Sequence, residues 1–456
     1  MHTMNRLIQT DSYKTSHYLQ YPAKAEVVNS YVESRGGKWD RALFFGLQMY
    51  IKKHLLKPIT QEEIDEAEVF CQAHGVPFNR EGWQYILNEH DGFFPVVIEA
   101  VPEGTVVENS NVLVQIYNTD ENVPWLTSFL ETALLRAIWY PTTVATNSYM
   151  TKQVILKHLQ ATSDAPEDEI SFKLHDFGGR GVSSGESAEI GGAAHLVNFM
   201  GSDTMEGVYA ANLYYNEPMA GFSIPASEHS TITSWGQSHE KDAFNNMISQ
   251  YGKPGSLVAC VSDSYNIWNA IEMWKELEDK IIESGCTLVV RPDSGDPVET
   301  PVEVVKKMID VFGSTTNKKG FKVLPDHVRV IQGDGVSCEN IDAILTALAD
   351  DGISASNIAF GQGGALLQQV DRDTLKFAMK CSAIKINGMW QDVFKDPITD
   401  SGKQSKRGCL ALVHGDDGFK TVKKHETPLG QNLLEVVFKN GKLIRSQTFS
   451  DIRSRN

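Results

Sequence analysis

Residues 170–204 read ISFKLHDFGGRGVSSGESAEIGGAAHLVNFMGSDT, and after a spacer rich in Tyr and Gly residues 221–236 read GFSIPASEHSTITSWG. Ile170 to Leu174 alternate as a short strand does. His175-Asp176-Phe177-Gly178-Gly179-Arg180-Gly181 follow as a glycine-rich exit that a helical period cannot produce. The reading is strand, loop, helix. Such an exit lets backbone come close to a ligand, and here it presents one aromatic ring, one guanidinium and several N–H donors together.

Downstream the same pattern repeats. Ser256–Val261 is an apolar strand ending at Ser262-Asp263-Ser264, followed by a helix over 265–282. Thr287–Val290 ends at Arg291-Pro292-Asp293-Ser294-Gly295 before a helix over 302–311, Val328–Ile331 ends at Gln332-Gly333-Asp334-Gly335 before a helix over 340–348, and Asn357–Phe360 ends at Gly361-Gln362-Gly363-Gly364. Alternating strands and helices predict a parallel sheet with crossover helices. Because every strand carries polar residues at its C-terminal end, an irregular or incomplete α/β barrel is favoured over an open doubly wound sheet. Asp263, Arg291, Asp293, Asp334 and Gly364 would then ring one mouth.

Upstream, Ser30–Ser34 reads as a strand, 44–56 and 61–74 as helices, 93–117 as a small β unit, and 126–158 as a helical stretch broken at Pro141. The polar run 161–169 reads as a linker. Beyond Phe377 come a strand with Lys380 and Lys385, a basic loop with Lys395, Lys403, Lys406 and Arg407, and two hairpins, 410–422 and 433–449, the second turning on Asn440-Gly441. The C-terminal strands are expected to rejoin the β unit. The division is therefore a β-rich and helical, discontinuous domain of residues 1–160 plus 390–456, and an α/β barrel domain of residues 161–389.

Composition narrows the function. A chain of 456 residues exceeds what one core usually organises. Its net charge of −16 argues against non-specific nucleic-acid binding but leaves room for a small polyphosphate held by a local cluster of Arg and Lys. No apolar run approaches the roughly 18 to 20 residues that span a bilayer. The start, MHTMNRLIQTDSYK, has no secretory pattern, and six widely spaced cysteines fit a reducing compartment, so a cytoplasmic location is expected.

The chemistry asks for a ligand with a flat part and an anionic part. Phe177 can stack on a ring, Arg180 and Arg291 can fork onto phosphate, and the Gly363-Gly364 turn offers backbone N–H groups. Asp293 and Asp334 can accept from sugar hydroxyls or hold magnesium through water. Walker and GxGxxG loops are absent. Taken singly, Phe177 reads as core rather than platform, His229 as a structural hydrogen-bonding group, Asp203 as a helix cap, and the lysines from Lys395 to Lys406 as a solvated loop.

Read as blocks in order, LHDFGGRGVSS, AHLVNF with Gly201-Ser202-Asp203-Thr204, SEHSTITSWG, VSDSYNIW, RPDSGDP, RVIQGDGV, IAFGQGG and VFKDP resemble the nicotinamide phosphoribosyltransferase family, of type II phosphoribosyltransferase fold. The likeness runs from Thr10-Asp11-Ser12-Tyr13-Lys14 to Asn440-Gly441-Lys442. It implies transfer of phosphoribosyl from phosphoribosyl pyrophosphate to nicotinamide in NAD salvage, a homodimer with shared active sites, magnesium as cofactor and ATP as co-substrate. By the same resemblance Phe177 stacks on the nicotinamide ring with Tyr13 of the other subunit opposite, and Asp203 accepts from the carboxamide. Arg180, Arg291, Gly333, Gly363 and Gly364 hold the ribosyl phosphate, with Asp293 and Asp334 at the ribose. Arg35, Arg372, Lys380, Lys395 and Lys403 face pyrophosphate and nucleotide phosphates, and His229 matches the histidine that ATP phosphorylates. No protein ligand of the metal is implied. Gly179 departs from the animal members, which carry tyrosine there. Two alternatives stand beside this reading: the same transfer to nicotinate, and a non-enzymatic nucleotide sensor on the same fold.

Overall fold

The computed structural model describes residues 4–399, 404–416, 418–428 and 430–456. Lys403, one of the expected phosphate contacts, lies outside them. Apart from the short pair Arg41–Leu43 and Val106–Glu108, the first strands are β1 (Ala25–Glu33), β2 (Val96–Ala100) and β3 (Val112–Asn118). Six short ones follow, β4 (Leu174–Asp176), β5 (Gly201–Ser202), β6 (Leu257–Val261), β7 (Thr287–Arg291), β8 (Val328–Gln332) and β9 (Ile358–Gln362). The last four used below are β10 (Ala378–Ile386), β11 (Met389–Asp392), β12 (Glu435–Lys439) and β13 (Lys442–Leu443).

The chain forms two compact units, Met1–Thr146 with Leu213–Glu217 and Asp371–Asn456, and Asn147–Asn212 with Pro218–Val370. The first is built on a seven-stranded antiparallel sheet in the order β11-β10-β1-β3-β2-β12-β13. Asn440 and Gly441, at φ 46° and 78°, make the tight turn between β12 and β13, the conformation a two-residue hairpin loop requires. Val96, Ile98, Val112, Val114 and Ile116 pack with Trp83, Phe129 and Leu134 into its core.

The second unit carries a curled six-stranded sheet, all parallel, in the order β5-β4-β9-β8-β7-β6. One segment bridges both of its edges: Phe222 pairs with Gly201 of β5 and Ala226 with Ala259 of β6, both in parallel sense. The expected incomplete barrel is thus a half-barrel whose open side is laced by residues 222–227. Inside it Ala259, Val289 and Ile331 meet Phe177, Ile224 and Ala359. Outside, Val258, Leu288, Val330, Ile358 and Phe360 face helices carrying Phe244, Ile271, Trp274, Val305 and Ile344, so successive residues of each strand serve opposite faces.

Several expectations are corrected. The stretch from Ile170 begins as a 3-10 turn, Ile170–Phe172, and the strand starts only at Leu174. Lys173 explains the offset: its ammonium pairs with Glu169 at 3.0 Å and donates to the carbonyls of Ala355, Ser356 and Ile358, which holds the preceding residues in a turn. Pro141 does not break its helix, which runs unbroken over Leu126–Thr162. There Thr143 and Thr146 hydroxyls donate to carbonyls one turn back, Thr142 donates to Phe45 O, and Gly46 leaves room for the proline ring. Residues 161–169 are no linker, since Thr162 and Ser163 are buried and Pro166–Glu169 is a helical turn. The helix expected over 265–282 is two, Ile267–Glu276 and Glu278–Ser284. The units divide at 146/147 and 370/371 rather than at 160/161 and 389/390, because β10 pairs antiparallel with β1 along nearly its whole length.

Candidate functional site

The C-terminal ends of the six parallel strands supply the site of the second unit. At the end of β4, Gly178 N donates to Asp176 Oδ1 at 2.7 Å and turns the chain, while Phe177 N donates to Gln362 O at 3.0 Å. The Phe177 ring is thereby set into the barrel. Gly361 has no alternative there, because a Cβ at that position would fall 1.9 Å from Phe177 Cε2. A Cβ on Gly333 would touch Arg291 Nε at 3.3 Å, Phe177 Cε2 at 3.4 Å and Asp293 Oδ1 at 3.5 Å, so the ends of β4, β7 and β8 converge on one spot.

Arg291, the last residue of β7, places its guanidinium carbon 5.7 Å from the Phe177 ring centroid. Its Nε and Nη2 donate to Asp293 Oδ1 at 3.1 and 2.7 Å. Asp263, at the end of β6 and only 5% exposed, receives Asp293 N at 3.0 Å and the Ser294 hydroxyl on Oδ2, and lies 3.0 Å through Oδ1 from His229 Nε2. The other ring nitrogen, Nδ1, stands 3.8 Å from Asp293 Oδ2. His229 therefore has one nitrogen anchored on a buried carboxylate and the other facing the Arg291–Asp293 pair.

At the end of β5, Asp203 N donates to Asp176 O at 2.9 Å, and its exposed carboxylate accepts from the Ser223 hydroxyl. Burial pushes the His175 imidazole down, against the opposing field of Asp203, and pushes Asp176 up to about 6. Asp334 is exposed beyond β8, its carbonyl accepting from Gln332 Nε2 at 2.7 Å. After β9 a Cβ on Gly364 would meet nothing within 4 Å, so this backbone is open, whereas a Cβ on Gly178 would fall 2.7 Å from Leu367 and finds no room; one on Gly181 would meet Gly364 at an ordinary 3.5 Å. Arg180 is exposed in the turn between them.

Among the expected residues, Phe177, Arg291, Asp293 and Gly333 converge, His229 joins them through Asp293, and Arg180, Asp203, Asp334, Gly363 and Gly364 sit at strand ends of the same sheet. In the first unit, burial lowers the pKa of Lys380 against the opposing field of Glu131, and Arg35, Lys395 and Arg372 add to the lowering, which groups four of the five expected phosphate contacts. Arg35 Nε is held by Glu33 at 2.8 Å while its Nη2 is buried without a partner among the described residues. Tyr13 is 61% exposed, with the Lys14 ammonium 5.2 Å from its ring. Sequence reasoning missed Ser223, Ser294 and the clamp that Asp263 makes on His229; the signal for the last was Ser-Asp-Ser closing an apolar strand. Among the described residues no group of three or more His, Cys, Asp or Glu side chains could hold a metal ion, and no helix is long and apolar enough to cross a membrane.

Residues 172–442 match the model of the nicotinate phosphoribosyltransferase (NAPRTase) family, and residues 5–98 that of the nicotinamide phosphoribosyltransferase N-terminal domain. The chain is 51% identical over 458 residues to a nicotinamide phosphoribosyltransferase of Xanthomonas campestris pv. campestris (strain 8004), covering 99% of this chain and 97% of the relative. It is 30% identical over 491 residues to one of Acinetobacter baylyi, with the same coverage. In fold it is similar to the nicotinate-nucleotide pyrophosphorylase of Pyrococcus furiosus, with a TM-score of 0.62 at 18% identity over 100% of this chain and 95% of that one. Human nicotinic acid phosphoribosyltransferase gives a TM-score of 0.61 at 17% identity, over 98% and 92%.

Proposed function

We propose, from the premise that this chain belongs to the nicotinamide phosphoribosyltransferase family, that it makes nicotinamide mononucleotide and pyrophosphate from nicotinamide and phosphoribosyl pyrophosphate. The observation that carries the reading is Arg291, at the end of β7, beside the Phe177 ring that follows β4, an aromatic face and an anion fork in one place. Phe177 stacks on the pyridine ring and Asp203 accepts from its carboxamide. Arg180, Arg291 and the open backbone at Gly333, Gly363 and Gly364 take the ribosyl phosphate, and Asp293 and Asp334 the ribose hydroxyls.

Charge dictates the chemistry. The pyridine nitrogen attacks C1 of the ribose as pyrophosphate leaves, so positive charge grows on the sugar and negative charge on the leaving group. Arg35, Arg372, Lys380, Lys395 and Lys403 are assigned to the anions, where preorganised cations commonly contribute several kcal/mol. The chain builds no metal nest among its described residues, so magnesium is assigned to the pyrophosphate as its counter-ion. ATP is proposed to phosphorylate His229: with Nε2 held by Asp263, Nδ1 is the nitrogen left for the phosphoryl group. Active sites shared across a homodimer, with Tyr13 given to the partner, and a cytoplasmic location belong to the same proposal.

The amide is favoured over the acid because a nicotinate carboxylate facing Asp203 would meet like charge, about 4 kcal/mol for two unit charges at roughly 4 Å and an effective dielectric of about 20. Purified protein given phosphoribosyl pyrophosphate, magnesium and ATP, with nicotinamide and nicotinate in parallel, tests the whole reading by radiolabelled product. A higher kcat/KM for nicotinate overturns the substrate, and no mononucleotide from either supports a non-enzymatic sensor. His229→Ala with undiminished ATP hydrolysis and unchanged KM removes the phosphohistidine alone.

A further inference from the structure

A cavity of about 580 Å³ opens within the first unit, on one face of its antiparallel sheet, lined by Asn29, Tyr117, Trp390, Asp392, Cys409 and Lys424 among others. That volume lies in the range of small-molecule sites, roughly 300 to 1,000 Å³. None of these residues belongs to the strand-end site or to the cation group around Lys380.

The floor is a ladder of buried polar side chains crossing four strands. Gln115 on β3 donates to Glu99 on β2 at 3.4 Å, and Asn29 on β1 donates to Gln115 Oε1 and to Ser382 Oγ on β10, both at 3.1 Å. Gln115 is committed further, giving to Leu410 O at 2.6 Å and accepting Leu410 N at 2.8 Å. Both N–H groups of Asn29 are thus used, while its Oδ1 takes no bond among the described residues and is not sealed away from the cavity. Tyr117 donates its hydroxyl proton to Glu99 Oε1 at 3.1 Å, which leaves its oxygen free to accept. The unspent hydrogen-bonding capacity of the floor is therefore acceptor, and a molecule seated there must bring N–H or O–H donors.

Charge limits the ligand further. Lys424 is paired with Glu99 at 2.7 and 3.0 Å and Asp392 with Lys423 at 2.6 Å, so these charges are compensated, and the His425 imidazole of the lining stands 3.7 Å from the Glu426 carboxylate. The half-exposed Trp390 indole and the Tyr117 ring supply aromatic surface. We propose that this cavity is a second ligand site, for an uncharged purine-type nucleoside or its base, whose ring lies on the aromatic walls and whose exocyclic N–H reaches Asn29.

Isothermal titration of the full-length protein with adenosine, and with AMP in parallel, tests this on the wild type and on Trp390→Ala, Asn29→Leu and Phe177→Ala. The expected result is saturable adenosine binding that Trp390→Ala weakens about tenfold or more, as loss of an aromatic anchor does, that Phe177→Ala leaves in place, and that AMP does not surpass. Asn29 belongs to the ladder, so the rim substitution at Trp390 decides the matter if Asn29→Leu fails to fold. Absence of saturable adenosine binding, indifference to Trp390→Ala, or tighter binding of AMP at the Trp390-dependent site overturns the proposal. Turnover of nicotinamide without added nucleoside is expected to be the same in Trp390→Ala as in the wild type, so this result and the reaction assay stand or fall separately.

Discussion

The Arg291 guanidinium lies 5.7 Å from the Phe177 ring centroid and is fixed there by two bonds to a single oxygen of Asp293. A planar fork can hold that oxygen through Nε and Nη2 and keep Nη1 for a ligand; an ammonium is a point charge without such division. Arg291→Lys is expected to lower kcat/KM for phosphoribosyl pyrophosphate about 10- to 100-fold, the loss of roughly 1.5 to 3 kcal/mol typical of a charged hydrogen bond. Steady-state kinetics with that substrate varied checks it, and a change within about twofold would deny Arg291 a phosphate role.

Two glycines separate contact from tolerance. Neither Gly361 nor Gly333 has a positive φ, so space alone decides the cost of a methyl group. Gly361→Ala puts carbon 1.9 Å from the Phe177 ring and forces it aside, an overpacking cost of about 1 to 3 kcal/mol with a raised KM for nicotinamide. Gly333→Ala meets its nearest atoms at 3.3 to 3.5 Å and is expected to cost clearly less. Thermal melts and KM values for the two variants side by side measure the difference; equal losses would mean the ring is not held by Gly361.

Asp176 predicts a pH effect of definite sign. Burial raises its pKa from 3.8 to about 6, with the Gly178 N–H opposing. The folded state therefore holds this proton more tightly than the unfolded one, and stability falls as pH rises from about 4 to above 6, by at most about 3 kcal/mol at roughly 1.4 kcal/mol per unit. Asp176→Asn keeps an acceptor for Gly178 and cannot ionise. Its melting temperature should exceed that of the wild type at pH 8 and lose that advantage at pH 4; a deficit at pH 8 as large as at pH 4 would show that the carboxylate is not the source.

Lys380 gives a prediction with two opposite halves. Without a bound anion it is a partly buried charge on which burial and the neighbouring Arg35, Lys395 and Arg372 outweigh the attraction of Glu131, so Lys380→Ala should leave the ligand-free melting temperature unchanged or raise it. With pyrophosphate the repulsion becomes attraction, and the upward shift that pyrophosphate gives the wild type should be largely lost in the variant. Differential scanning fluorimetry across a pyrophosphate series reads both, and an undiminished shift in Lys380→Ala would remove Lys380 from the anion site.

Much of the site was readable before any coordinates because polar residues closing short apolar strands have one place to go in a parallel barrel. Arg291 and Asp293 came from that rule, Phe177 from the glycine-rich exit of the quoted stretch and Gly333 from the family resemblance, and these four come together. Asp263 was placed at the mouth by the same rule, yet its hold on His229 joins residues 34 apart in sequence across the helix Glu240–Tyr251 and strand β6, and only the fold brings them to 3.0 Å. The unit boundary at Thr146/Asn147 had no compositional mark, since it falls inside one continuous helix whose residues obey a single pattern on both sides. FAMKCSAIKI reads as a strand in either sheet, and pairing with β1, a long-range event, decides its membership.

The lacing segment has a consequence for how Asp203 and His229 are placed relative to each other. Residues 222–227 hang on the edges of the sheet by Phe222 and Ala226, and the strip carries Ser223, partner of Asp203, at one end and leads directly into His229 at the other. The strip is fastened at both ends: Phe222 N donates to Met200 O and its carbonyl accepts from Ser202 N, while Ser227 N donates to Ala259 O and Ala259 N to Pro225 O. The spacing between the partner of Asp203 and the approach to His229 is therefore fixed by backbone pairing to the two sheet edges.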